Sequence, residues 1–170
     1  MKIQRAFLAG IAGAIAMSLV LGAFRSLGVS VSFEDLLGST LVRQPGMSRW
    51  LVGLALHLLI GGMTAIVYAV AFEYAVQRSG PVVGAGFGLA HGLMAGLFMS
   101  AIPAMNPLIP DSVQAPGAFL DNLRFGPFLF LFLHVVYGAV TGYLYGPPLQ
   151  RPHEDRSFGR SGEIGHHSAH

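Results

Sequence analysis

The sequence predicts an all-α membrane protein, four transmembrane helices arranged as two parallel helical-hairpin repeats. The first reason is charge. Hydrophobic residues make up 53% of the 170-residue chain and charged residues 11%, less than half of the roughly 25% usual in soluble domains. Ten Lys/Arg and eight Asp/Glu are too few to hydrate the surface of a water-soluble fold this small, which buries only part of its area. The second reason is where those charges fall. Residues 50–72, 79–110 and 125–150 carry none, and each run exceeds the roughly 20 residues that cross about 30 Å of hydrocarbon. The third is an internal repeat. Residues 54–68 lie over residues 131–145, with Leu54, Leu56, His57, Gly61, Thr64 and Tyr68 matched by Leu131, Leu133, His134, Gly138, Thr141 and Tyr145.

The first span covers residues 6–28. Lys2 and Arg5 precede its apolar run as they would in a signal peptide, but the run is longer than a signal core and no A-x-A site follows, so it reads as a retained helix. Within 30–49, Phe33, Leu36, Leu37 and Leu41 have the spacing of a short interfacial helix. The second span is 50–73, with Trp50 and Tyr74 at the two interfacial belts and Glu73 near Arg78 at the interface. Ser79, Gly80 and Pro81 make a tight turn into the third span, 81–104. Residues 105–125 hold Pro107, Pro110 and Pro116 and read as a broken loop. The fourth span is 126–147. Residues 148–170 are a polar tail with His153, His166, His167 and His170, expected to be disordered. The bundle is thus 1–147, with repeat 1 over about 6–76 and repeat 2 over about 81–147. An even number of crossings separates the copies, so they run parallel about an axis along the membrane normal. Lys2, Arg5, Arg78, Arg151, Arg156 and Arg160 share one side, and Arg25, Arg43, Arg49 and Arg124 the other. The excess places both termini in the cytoplasm.

Lipid removes the hydrophobic drive between helices, so close backbone packing has to supply it. Small residues recur at every fourth position: Gly84, Gly88, Gly92 and Gly96 in the third span, Gly61, Ala65 and Ala69 in the second, Gly138, Gly142 and Gly146 in the fourth. Gly10, Ala14, Ser18 and Gly22 of the first span lie over Gly88, Gly92, Gly96 and Ser100 of the third. The stretches Ala90–Pro107 and His134–Tyr145 resemble a family of small bacterial four-helix integral membrane proteins of unknown function. The likeness covers most of residues 6–147. It implies a bacterial cytoplasmic membrane location and carries no activity or ligand.

Cysteine is absent, which excludes disulfides, thiolate metal sites and iron–sulfur clusters. Net charge is only +2 and no basic cluster forms, so nucleic acid is not a partner. There is no GxSxG, HExxH, P-loop or paired intramembrane carboxylate, and the Gly84–Gly88 stretch lies within a span with no strand before it. The expectation is a protein that is not an enzyme.

The residues that can carry chemistry are His57, His91 and His134, since ionisable groups in a span are costly and normally face the bundle interior. His57 and His134 each stand four residues before a glycine and seven after the start of a helix, at Trp50 or Pro127, about 10 Å below the outer interface. Facing each other as neutral imidazoles, they would ligate a b-type haem or copper. Alternatively each bonds a neighbouring helix through Thr64, Thr141 or a backbone carbonyl. The glycine stripes argue against haem, because they bring backbones together where a macrocycle needs room. His91 is about 15 Å from either face, so a three-histidine site requires tilt or a kink. Met47 and Met105 read as core filling rather than soft-metal ligands. Glu34, Asp35, Asp111 and Asp121 form either an acidic outer mouth for a cation or solvated loop charges. With no cofactor expected, the leading function is a helix-packing or assembly component of the lipid bilayer, in a homo-oligomer or with a membrane-protein partner. The alternatives are a bis-histidine electron carrier and an oligomeric small-solute or cation transporter.

Overall fold

The computed structural model describes residues 1–29, 31–99 and 126–149, and among them every regular element is helical. Helix α1 is Ile3–Ser26, α2 is Phe33–Ser39, and α3 is Met47–Val70, running on as a π-helical stretch, Ala71–Val76. Helix α4 is Pro81–Met99 and α5 is Gly126–Tyr145. Ile3–Ser26, Met47–Val76 and Gly126–Tyr145 are long and apolar enough to cross a membrane; α4 is equally apolar over the shorter stretch Pro81–Leu97. The expected end of the third span, 100–104, lies outside the described residues, as do the proline-rich loop and the tail from residue 150 onward.

Helix α1 packs against both α3 and α5, α4 packs along α5, and α2 lies across the first turns of α3. Glycine decides where the helices cross. A Cβ on Gly10 of α1 would run into the Gly61 carbonyl of α3 and come within 2.5 Å of the Ala65 Cβ. One on Gly138 of α5 would meet the Gly84 carbonyl and lie 2.8 Å from the Gly88 backbone. Gly13 faces Thr141 and Tyr137, joining α1 to α5. Bulky apolar side chains fall on both sides: Leu21, Phe72, Leu133 and Tyr145 are fully buried, while Leu19, Met63, Val67, Leu97 and Phe128 are exposed. In hydrocarbon outward leucine costs nothing, and close backbone contact at the glycines is the available glue. One expected packing position is looser: among the described residues a Cβ on Gly96 would meet only the Phe130 ring edge, at 3.6 Å. Gly22, the last of the small residues matched in the first span, is exposed, with no described residue within 4 Å of its Cβ position.

The polar ends also differ from expectation. Glu73 stands at the end of α3, as expected, but its side chain is covered by protein. Its carboxylate accepts from Tyr145 Oη at 2.5 Å and from the Leu149 amide at 2.9 Å. Lys2 Nζ and Arg5 Nε donate to the carbonyls of Pro147 and Leu144, and Ser79 Oγ to that of Gly146. The N-terminus, the end of α3 and the residues after α5, including Leu149 of the expected tail, are therefore laced together. At the opposite end Glu34 is buried beneath α2, and Asp35 holds Arg49 through two hydrogen bonds of 2.8 and 2.6 Å. Neither carboxylate is a free charge of an acidic mouth. Asp111 and Asp121 lie outside the described residues. Helix α2 forms where the apolar spacing places it, capped by Ser32 Oγ on the Asp35 amide. It docks rather than floats, because Gly38 and Gly53 bring its backbone directly onto α3.

Candidate functional site

His57, His91 and His134 line one open-sided cavity of about 140 Å³ between the helices. Three helices supply them, and each is placed by a glycine. His57 is one turn ahead of Gly61, at the α1–α3 crossing. On α4, a Cβ at Gly88 would strike the His134 carbonyl and one at Gly92 would lie 2.9 Å from the His134 Cβ. That register brings His91, between the two glycines, level with His134. Their ring centroids are 5.0 Å apart with the planes at 87°. The sequence placed His91 too deep to join the pair without tilt or a kink and set His57 opposite His134. In the structure the close ring pair is His91–His134, and His57 borders the same space.

The hydrogen bonds fix much of the chemistry. His134 Nδ1 lies 2.8 Å from the Phe130 carbonyl. A carbonyl only accepts, so Nδ1 carries the proton and Nε2 of the neutral ring keeps its lone pair. His57 Nδ1 pairs with Ser18 Oγ of α1 at 3.1 Å. His91 Nδ1 is buried without a partner among the described residues, as is Tyr68 Oη. Tyr68 and Tyr137 both present ring edges to His91, with centroids 6.1 Å away. The Tyr137 hydroxyl donates to the Gly61 carbonyl at 2.6 Å and so has no proton left for the cavity. Met17 of α1, Phe33 and Leu37 of α2, Ala95 of α4 and Phe130 of α5 complete the apolar wall.

Sequence reasoning assigned the imidazoles to hydrogen bonds through Thr64, Thr141 or a carbonyl. The partners found are Ser18 and the Phe130 carbonyl. Thr64 lines the cavity, while Thr141 Oγ1 is buried without a hydrogen-bond partner among the described residues. Tyr137 was missed altogether. An aromatic inside an apolar run signals only core, and its carbonyl partner lies 76 positions away. Tyr137→Phe is expected to cost about 1 kcal/mol, the net worth of one hydrogen bond, read as a modest fall in thermal unfolding temperature in detergent. An unchanged midpoint would show that this bond contributes nothing to holding α5 on α3.

Among the described residues no group of three or more His, Cys, Asp or Glu is arranged to hold a metal ion. The cavity is also well below the roughly 300 Å³ at which ligand pockets for drug-sized molecules begin, too small for a haem without parting the glycine crossings. No protein-family model, curated protein or solved structure matches the chain.

Proposed function

We propose that the protein is a non-catalytic, multi-pass protein of the bacterial cytoplasmic membrane, built from two fused helical hairpins with both termini cytoplasmic. Its working part is a small ligand pocket between those hairpins. Two crossings support the repeat, one turn out of step: Gly10 abuts the Gly61 carbonyl in the first hairpin, and its counterpart Gly88 abuts the His134 carbonyl, beside Gly138, in the second. The observation that carries the functional reading is the convergence of three imidazoles on one cavity. Helix packing accounts for the glycines, and it makes this an assembly component in its own membrane. Packing does not account for three ionisable side chains gathered from three apolar helices, since each is costly in hydrocarbon. A cavity of about 140 Å³ is near the size of the roughly 150 Å³ apolar cavity that admits benzene.

Filling the space tests the reading. Ala95 lines the cavity and is half-buried, so Ala95→Phe places a ring where the ligand would sit. Protein purified gently from its native membrane is expected to release a small molecule on solvent extraction, detected by mass spectrometry, and Ala95→Phe to release none while keeping its helical circular dichroism. Identical extracts from the two proteins would overturn the proposal.

A further inference from the structure

We infer that the histidine cavity binds a hydroxylated aromatic ring of the phenol or quinol class, taken up from the bilayer. The inference rests on the pocket reading above and adds the chemistry of the occupant. Size sets the first limit, for a space near that of a benzene-binding cavity holds one six-membered ring with small substituents. The walls set the second. Phe130 and Tyr137 line the space beside His91 and His134, and these rings already meet one another at steep angles, as between His91 and His134 or His91 and Tyr137. A flat ring continues such edge-to-face packing.

Hydrogen-bonding capacity sets the third limit. The His134 Nδ1 proton is committed to the Phe130 carbonyl and the Tyr137 proton to the Gly61 carbonyl. His134 Nε2 keeps a lone pair that meets no donor among the described residues, and an occupant with a proton to give satisfies it. Among the described residues no Asp, Glu, Lys or Arg lines the cavity; a charged ligand would enter hydrocarbon without a counter-ion there, which is prohibitive. A quinone or other carbonyl-only ring could accept from His91 or Thr64, which also line the cavity, but it leaves the His134 lone pair unmet. A neutral aromatic hydroxyl donates to that lone pair and still has its own lone pairs for those donors. The hydroxyl has two sources: a free phenol dissolved in the membrane, or the headgroup of a prenylated quinol. Ile60 lines the cavity and is itself exposed, so the space opens beside α3 and a tail can leave there.

Isothermal titration of the purified full-length chain in detergent tests this with four probes: phenol, toluene, a reduced quinol carrying one prenyl unit, and the matching quinone. The expected result is that phenol binds about tenfold more tightly than toluene and the quinol about tenfold more tightly than the quinone, one hydrogen bond in each case. His134→Leu should bring phenol down to the toluene affinity while toluene still binds. A quinol tighter than phenol identifies the membrane headgroup as the source, and equal affinities identify the free phenol. If wild type takes toluene as well as phenol, the pocket reading stands and the hydroxyl inference falls. The same holds if the hydroxyl preference survives in His134→Leu. If no probe binds, toluene included, both are overturned. The wild-type comparison needs no variant, so poor folding of His134→Leu leaves it decisive.

Discussion

Gly138→Leu is expected to prevent the bundle from closing, with a loss of about 3 kcal/mol or more, while Gly22→Leu leaves stability within about 0.5 kcal/mol of wild type. The two substitutions add the same side chain to apolar helices. At Gly138 the first added carbon already collides with the Gly84 carbonyl and lies 2.8 Å from the Gly88 Cα and nitrogen. These are backbone atoms of a neighbouring helix and cannot rotate aside. Overpacking that side chains can absorb costs about 1–3 kcal/mol; here α4 itself must move off α5, removing the other contacts of that interface with it. Gly22 has no described residue within 4 Å of its Cβ position and is exposed, so an added leucine points away from the bundle. Leu97→Ala, at a residue that is also exposed, should resemble Gly22→Leu. Thermal unfolding in one detergent at matched protein concentration compares all three. A Gly138→Leu midpoint equal to that of Gly22→Leu would mean the α4–α5 crossing is not where the glycines place it.

The contrast between these glycines shows what the sequence could and could not reveal. Spans were legible because hydrocarbon tolerates so little charge that their limits are written in its absence. Facing was legible only locally. A four-residue step turns a helix through about 400°, so a stripe read at every fourth residue drifts by about 40° per step. From Gly10 to Gly22, or from Gly84 to Gly96, the drift is about 120°. That carries Gly22 off the α1–α3 interface and leaves Gly96 at the margin of the α4–α5 interface, whereas Gly10 and Gly84 make backbone contact. Gly13, outside the stripe, faces α5 instead. The meeting of His91 with His134 was illegible for a related reason. Depth counted from the ends of its own helix does not say which neighbours a residue meets; the seating of Gly88 and Gly92 on His134 does. Buried Glu34 and Glu73 were illegible because a carboxylate at the end of an apolar run ordinarily lies in water. What holds Glu73 inside is Tyr145, 72 positions away, and nothing local announces it.

Asp35→Ala is expected to destabilise the protein by about 3 kcal/mol and to loosen the cavity from its outer side. Arg49 is only 4% exposed. Two of its guanidinium nitrogens are satisfied by Asp35, at 2.8 and 2.6 Å, while Nη1 is buried with no partner among the described residues. Removing the carboxylate leaves an enclosed cation with no counter-charge. Breaking a buried pair in this way costs about 3–5 kcal/mol, and the low end applies because the Asp35 side chain is 30% exposed. The cation has no easy escape, since a Cβ on Gly38 would collide with the Arg49 carbonyl and α2 therefore lies directly on this turn of α3. For Arg49 to reach water, α2 has to lift. Phe33 and Leu37, which α2 contributes to the cavity wall, would lift with it. Asp35→Leu combined with Arg49→Met should recover most of the loss, because a well-packed apolar pair of similar volume is often as stable as the ion pair it replaces. Unfolding in detergent separates the cases, with Arg43→Ala at an exposed position as the reference. An Asp35→Ala protein as stable as that reference would show that α2 is held by its glycine contacts alone, and toluene affinity would then be unchanged as well. A protein that loses both stability and toluene binding, and regains both in the apolar pair, would tie the wall of the cavity to this one buried charge.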